Sequence, residues 1–382
     1  MNALFSKNTT KQRVLLVDVG GMSIGASLVD LSSDDVPVIL FQVRKRIPIT
    51  QVKHPGMISS AAISILDEVL GEAHDIHHKG GGGAIEGVHV FLGAPWCHPS
   101  ISIKNQDFGA PKKITNMMVH EALTQHRKTR EKGHPDMHII ETEPLDVRLD
   151  GYKVQDHFTK KAKNFSVDIF STAAPAKTTG HVERIIGQYF AVERLYYHSS
   201  TLALYSVLRG IFSGGEQYLI IDISGDMTEV SLVENNTLVE IGSVPVGAYD
   251  LARTIGEIYK TTPEEALSRL NILREGRGVK KDTRMNVTLL KAEDKWKDAV
   301  VNLIKTFDYT SRIPNHAFYT TAVGVHLIFE EILEKNDLFK FGDAFYIGSE
   351  SLDPFVAYQT SRTNDPTLAL QAVYAHMYIH SS

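Results

Sequence analysis

Cysteine is nearly absent. The 382-residue chain carries one, Cys97, which excludes an internal disulfide and fits a reducing cytoplasm. Long apolar runs are absent too: none approaches the roughly 18 residues that a membrane-spanning helix needs. The opening stretch, MNALFSKNTTKQR, is polar and has no apolar h-region. It reads as a short disordered lead-in to the first strand rather than a secretory signal. A positive excess is also missing, with 40 Lys and Arg against 45 Asp and Glu and a net charge of −5, which argues against a general nucleic-acid binder. The basic cluster of Lys160, Lys161 and Lys163 reads as a solvated loop. The run Gly80–Gly83 lacks the Gly-Lys-Ser/Thr of a phosphate loop, and His74, His77 and His78 beside it read as exposed loop residues rather than metal ligands. Cys97 and His98 have no third partner for a triad and read as part of a structured turn.

What is present is a motif written twice. Val14–Asp30 (VLLVDVGGMSIGASLVD) and Tyr218–Glu234 (YLIIDISGDMTEVSLVE) superimpose without a gap at an offset of 204 residues, with Asp18 on Asp222 and Gly21 on Gly225. Each copy reads as a buried strand ending in Asp, a Gly-rich turn and a second strand. Glycines let backbone N–H groups approach an anion closely. Two such hairpins facing each other would hold a polyphosphate between amide nests, with two carboxylates for a hydrated Mg²⁺. Hydrophobic content of 43% suits a soluble chain of two domains.

Between the copies, the pattern predicts a strand over 36–47, a helix over 57–72 and a strand at Gly87–Leu92 that opens a different α+β segment. That segment continues through strands near 100–104, 137–141, 146–149 and 165–171, with a capped amphipathic helix over 115–126. Helices over 181–190 and 201–212 lead to the second hairpin. Beyond it the pattern predicts helices over 249–259, 296–307, 324–333 and 366–379, and a strand over 315–322.

The two hairpins resemble the phosphate 1 and phosphate 2 motifs of the actin-like ATPase superfamily. The segment carrying GVHVFLGAP, KKITNMMVHEAL, HIIETEPLDVRLDGYKV and FSVDIFSTA resembles the SHS2-type subdomain of its FtsA/PilM-type members. IGSVPVGAYDLARTI, followed by TTPEEALSRL, is similar to the family's stretch after phosphate 2. The resemblance implies an α/β fold of duplicated actin-like (ribonuclease H-like) domains with an inserted α+β SHS2-like subdomain. The parts would be 1–85 and 173–212 for lobe I, 86–172 for the insert and 213–382 for lobe II.

By position, Asp18 and Asp222 would face Mg²⁺, Gly20, Gly21 and Ser23 would line the first phosphate turn, and Gly225, Asp226 and Thr228 the second. Gly247 and Gly324 would complete the nucleotide site. The chain departs from the family pattern in LYYHSSTLALYSVL, where His198, Ser199 and Ser200 stand in place of Glu or Gln, and in TTAVG, which keeps one glycine. Ser224 and Asp226 also replace usual glycines.

The implied function is a cytoplasmic, ATP- and Mg²⁺-binding assembly factor with slow turnover at most. It would sit at the inner membrane through a partner, the cytoplasmic tail of a pilus or division protein, with self-assembly into a filament or oligomer. The alternative is a pseudo-ATPase scaffold that binds partners through the insert; a sugar or acetate kinase lacks a placed carboxylate base. The sequence ends near Ser382 without the basic amphipathic tail usual in FtsA-like proteins, which tilts the expectation to a pilus or secretion platform.

Overall fold

The computed structural model describes residues 12–32, 35–49, 58–154, 160–191, 193–212, 217–274, 283–307, 314, 316–322, 325–334, 343–359 and 364–381. Its first elements are β1 (Gln12–Val19), β2 (Ser23–Leu31), β3 (Val38–Arg46), α1 (Ser60–Lys79) and β4 (Gly87–Leu92). Then come β5 (His98–Lys113), α2 (Asn116–Gly133), β6 (Met137–Leu149), β7 (Tyr152–Lys153) and β8 (Lys161–Pro175). The chain returns through α3 (Ala176–Tyr189), β9 (Leu195–Ser199) and α4 (Ser200–Ile211) to β10 (Gln217–Ile223), β11 (Thr228–Glu234) and β12 (Thr237–Val244). It closes with α5 (Ala248–Tyr259), α6 (Pro263–Arg274), α7 (Thr283–Ile304), β13 (His316–Thr321), α8 (His326–Glu334) and β14 (Asp343–Tyr346). Last are α9 (Ser349–Leu352), β15 (Ala357–Tyr358) and α10 (Pro366–Ser381).

Three sheets organise these elements: β15-β3-β2-β1-β4-β9, β12-β11-β10-β13-β14 and β5-β8-β6-β7. The first two share one plan. An antiparallel hairpin (β1–β2, β10–β11) is extended by a third antiparallel strand, while the first strand also pairs in parallel with a later one. The repeat seen in the sequence is therefore a repeat of topology. Both hairpins are buried almost throughout, as their near-continuous apolar runs require.

Several expectations shift. Gly87–Leu92 is not the opening strand of the insert; it lies parallel to β1 inside the six-stranded sheet, where all six residues are buried. The four-stranded sheet begins only at His98, and its other face of contact is α2. The C-terminal part of the chain comes back to the first lobe, because β15 pairs with β3 and α10 packs on β1, β2, β3 and α4. Local periodicity carries no information on such long-range pairings. His74, His77 and His78 are not in a loop: α1 runs on through Lys79, and the turn begins where Gly81, Gly82 and Gly83 take positive φ. Strands 137–141 and 146–149 are one strand, β6, irregular at two points in its register with β8.

The core has four parts. One lies beneath α1 and α3, one beneath α2, and one among α5 to α8, with the fully buried Trp296 at its centre. The fourth is shared between the lobes: α4 and α10 meet Val14 and Leu16 of one sheet, Tyr218 and Ile220 of the other, and Leu145 and Phe170 of the insert. Lys153 of the insert donates to the Asn235 carbonyl at 3.3 Å and to the Thr237 hydroxyl, at the turn between β11 and β12. The insert is thus joined to both lobes.

Candidate functional site

The duplicated hairpins end face to face. Asp18, at the end of β1, and Asp222, at the end of β10, line one cavity of about 100 Å³ together with Gly20, Gly21, Ser23 and Ser224. A larger cavity of about 610 Å³ opens alongside and shares Met22, Ser23, Arg44 and Ala322; Tyr249, Glu264 and Leu267 close it on the second lobe. Sequence position had linked Asp18, Gly20, Gly21, Ser23 and Asp222, and the fold does bring these five together.

The two halves then part company in one residue. Asp18 lies opposite Gly25 in the first hairpin, and Asp222 lies opposite Glu229 in the second. Gly25 in turn faces Arg44 on β3, and a Cβ on Gly25 would come within 2.8 Å of that guanidinium. The missing side chain is what admits Arg44. Its Nη1 donates to Asp18 Oδ2 at 2.7 Å and to Ser23 Oγ at 2.8 Å, while Nε donates to Asp365. Asp365 also caps α10 by accepting from the Leu368 N–H at 3.0 Å. The other oxygen of Asp18 accepts from Gln371 Nε2 at 2.7 Å, from inside α10. Burial raises the Asp18 pKa against the opposing pull of Arg44. Burial would lower that of Arg44, but Asp365 and Asp18 together raise it, so the guanidinium stays charged.

Among the described residues the second hairpin has no such cation. Ser243 stands opposite Glu229 where Arg44 stands opposite Gly25. Asp222 is half-buried and pushed up to about 7 by burial and by the charge of Asp18. Glu229 is buried and pushed up to about 8 by burial despite the Thr201 hydroxyl donating to it at 2.5 Å.

The loops themselves touch. A Cβ on Gly21 would fall 2.4 Å from Ser224 Oγ and 2.7 Å from the Ala94 carbonyl, and Ser224 Oγ donates to that carbonyl at 3.2 Å. Tyr249 of α5 reaches across, its hydroxyl 3.2 Å from the carbonyls of both Met22 and Ile47, while Met22 packs into the core of the second lobe. The Ile49 N–H donates to Glu264 Oε1 at 2.9 Å. Tyr249→Phe keeps the ring and removes this bridge. It is expected to lower the unfolding free energy by about 1–2 kcal/mol and to speed amide exchange in the loop 20–23; exchange at the parental rate would remove Tyr249 from the closure.

The other expected site residues have different work. Thr228 offers no hydroxyl to the cleft: it is fully buried, donates to the Val246 carbonyl at 2.8 Å and accepts from Trp296 Nε1 at 2.8 Å. The charge that Asp226 adds is met by Arg253 of α5 at 2.6 Å. Gly225 and Gly247 allow close packing of the second loop on α5. A Cβ on Gly225 would meet the Tyr249 ring at 2.6 Å, and one on Gly247 would meet the Ser224 carbonyl at 2.4 Å. Gly324 lies outside the described residues. In the connecting segment Ser199 caps α4 and donates to Glu141 Oε2 at 2.7 Å, and His198 stacks on His89 with ring nitrogens 2.9 Å apart. Burial lowers both histidines to about 3 and lifts Glu141 to about 7.

These distances decide the fit of the implied group. Each oxygen of Asp18 already accepts from a protein side chain, and the Arg44 guanidinium beside it repels a second cation, so Mg²⁺ does not fit there with those side chains in place. The cavity of about 100 Å³ beside the two aspartates is below the roughly 300–1,000 Å³ of ordinary ligand pockets, whereas the adjoining cavity of about 610 Å³ lies within that range. Among the described residues no group of three or more His, Cys, Asp or Glu side chains is arranged to hold a metal ion. Sequence reasoning missed Arg44, Asp365, Gln371 and Glu229. Only the last had a local signal, since it aligns with Gly25 at the offset of the repeat.

Two duplicated sheets, each built on a hairpin with Asp at the strand end, facing across a cleft and accompanied by an inserted unit, define the actin-like ATPase fold. The chain is similar over 96% of its length to a structure described as the PilM–PilN type IV pilus biogenesis complex, with a TM-score of 0.66, 12% identity and 98% of that chain covered. It is also similar to the ethanolamine utilization protein EutJ from Carboxydothermus hydrogenoformans (TM-score 0.47, 14% identity, 95% and 89% covered). A third is a Bacteroides thetaiotaomicron protein with an actin-like ATPase fold and unknown function (TM-score 0.41, 11% identity, 96% of each chain covered). At these identities the likeness is one of fold. No protein-family profile matches the chain, and no curated protein sequence matches it.

Proposed function

We propose that this chain is an actin-like assembly factor of the PilM kind, placed at the cytoplasmic face of the inner membrane by the tail of a membrane protein. In this reading it works as a scaffold whose lobes are held together by its own side chains rather than by nucleotide turnover. The observation that carries the scaffold reading is the contact of Gly21 with Ser224 and Ala94, with Arg44 set on Asp18 beside it. The pilus or secretion setting, in preference to cell division, is supported by the likeness to the PilM–PilN complex along nearly the whole chain. No helix among the described residues is long and apolar enough to cross a membrane, so a partner's tail is the anchor that this reading calls for. The inserted unit, 98–175 by its strands, is the surface proposed for partners and for self-assembly into an oligomer or filament.

A second reading keeps the nucleotide: ATP with Mg²⁺ enters after Arg44 leaves Asp18, closes the lobes and turns over slowly at most. It is favoured by Asp18 and Asp222 lining the same cavity with the glycines of the first loop. Calorimetric titration of the purified chain with ATP and Mg²⁺ separates the two. The scaffold reading expects no saturable binding up to about millimolar ATP. Micromolar binding that is lost in Asp222→Ala, with the fold intact, would overturn it in favour of the second. Asp222 is half-buried at a strand end, so the substitution leaves the core in place.

A further inference from the structure

Lys160, Lys161 and Lys163 are not a loop of their own. Lys161 and Lys163 lie on β8, and the fold brings Lys112 and Lys113 of β5 beside them. Lys113 sits directly across from Lys161, an arrangement of like charges that weakens a sheet. Lys163 is two residues further along β8 and shares the face of Lys161. All five lysines are exposed, and no carboxylate among the described residues pairs with any of them. The acids nearest in the chain are turned to the backbone: Asp107 accepts from the Gly109 N–H at 2.8 Å, and Asp150 from the N–H groups of Lys163 and Asn164 at 3.0 and 2.8 Å.

Apolar surface accompanies the charge. Met117, in the first turn of α2, is 69% exposed, and Lys112 lies over the Phe108 ring. Beside them, the irregular stretch of β5 at Gly109 and the turn between β6 and β7 at Gly151 face open space, since a Cβ on either glycine would have nothing within 4 Å. The whole chain is nevertheless net −5, so this tip is a positive pole on an acidic body.

We propose that the tip of the inserted unit is a docking surface for an anionic lipid bilayer, with Lys113, Lys161 and Lys163 meeting lipid phosphates and Met117 entering the headgroup boundary. An exposed tip that presents Lys113, Lys161 and Lys163 on one face suits a planar array of anions. An acidic peptide would instead be held by a groove. The polarity of the molecule turns this end toward a negative surface and the acidic body away from it.

The test is flotation of the full chain with vesicles of phosphatidylcholine, with and without phosphatidylglycerol. Binding is expected only to the anionic vesicles and is expected to weaken steeply with salt. The variant Lys113→Gln/Lys161→Gln/Lys163→Gln is expected to bind them about a hundredfold less well. Because all three side chains are exposed and two repel each other, its melting temperature stays at or above that of the parent. Met117→Ser is expected to weaken binding without changing its salt dependence. Equal binding to neutral vesicles, no binding to anionic ones at low salt, or a triple variant that binds like the parent each overturns the proposal. So does capture of polyglutamate by the chain while vesicles are ignored, which would make the tip a site for an acidic polypeptide.

Discussion

Arg44→Gln lowers the free energy of unfolding by about 3–5 kcal/mol, the usual loss when a buried ion pair keeps only one member. The guanidinium is one-fifth exposed, and its two carboxylate partners, Asp18 and Asp365, are more deeply buried still. Removing it leaves both carboxylates without a cation, and Asp365 then caps α10 while carrying an unshielded charge. The same site tests its own explanation. Asp18→Asn placed on Arg44→Gln removes one of the stranded charges and is expected to recover more than half of the loss, since residues in one network are not additive. Urea denaturation of the parent, the two single variants and the double gives the coupling. A loss below about 1 kcal/mol in Arg44→Gln would mean that Arg44 lies over the cleft without holding it. Scattering by the parent and variant measures closure directly, with a larger radius of gyration expected once Arg44 is gone.

Stability falls by on the order of 2–3 kcal/mol between pH 6.5 and 8.5, the reverse of ordinary acid denaturation. In the folded chain Asp222, Glu141 and Glu143 titrate near 7 and Glu229 near 8, each raised chiefly by burial from ordinary values of about 4. Their contribution is fully present below the unfolded values and is lost as pH rises through the folded ones. Across this window the unfolded chain holds no carboxyl protons, the folded chain gives up those it holds, and so ionisation favours unfolding. His89 and His198, lowered to about 3, are neutral in the folded chain and essentially uncharged in the unfolded one above pH 6.5, so they do not mask the slope. Glu229→Gln keeps an acceptor for Thr201 and removes the group that titrates highest. It is expected to halve the slope. Denaturant midpoints that are flat with pH in the parent would show that Asp222 and Glu229 are ionised and solvated, and therefore that the cleft is open.

Both predictions rest on the point where the two hairpins differ. A glycine at 25 admits an arginine beside the first aspartate, and a glutamate at 229 crowds the second. One half of the cleft is neutralised by a cation from the protein; in the other, burial raises Asp222 and Glu229 and so favours their protonated forms below about pH 7. A protein whose cleft is balanced in this way has no electrostatic need of a bound metal to stay shut, which is the physical content of the scaffold reading.

The amino-acid sequence by itself determined the local elements and the duplication. Apolar runs long enough to bury a central strand, Asp at the strand end, Gly in the turn and the matching offset of 204 residues specify two like hairpins, whatever surrounds them. Within the insert, the start of α2 and the Asp150-Gly151 turn are local signals of the same kind, but where the insert begins is not, because Gly87–Leu92 pairs with β1. Only the tertiary structure decided how the cleft is filled. Asp365 and Gln371 meet Arg44 and Asp18 from 321 and 353 residues away, and no periodicity reports a contact over such a separation. Thr228 illustrates the limit from the other side: its hydroxyl matches the phosphate motif in the sequence, yet its partners are Val246 and Trp296 in the core. The chemistry of a short motif belongs to its residue types, but which way a hydroxyl or a carboxylate is turned depends on the side chains that long-range packing places against it.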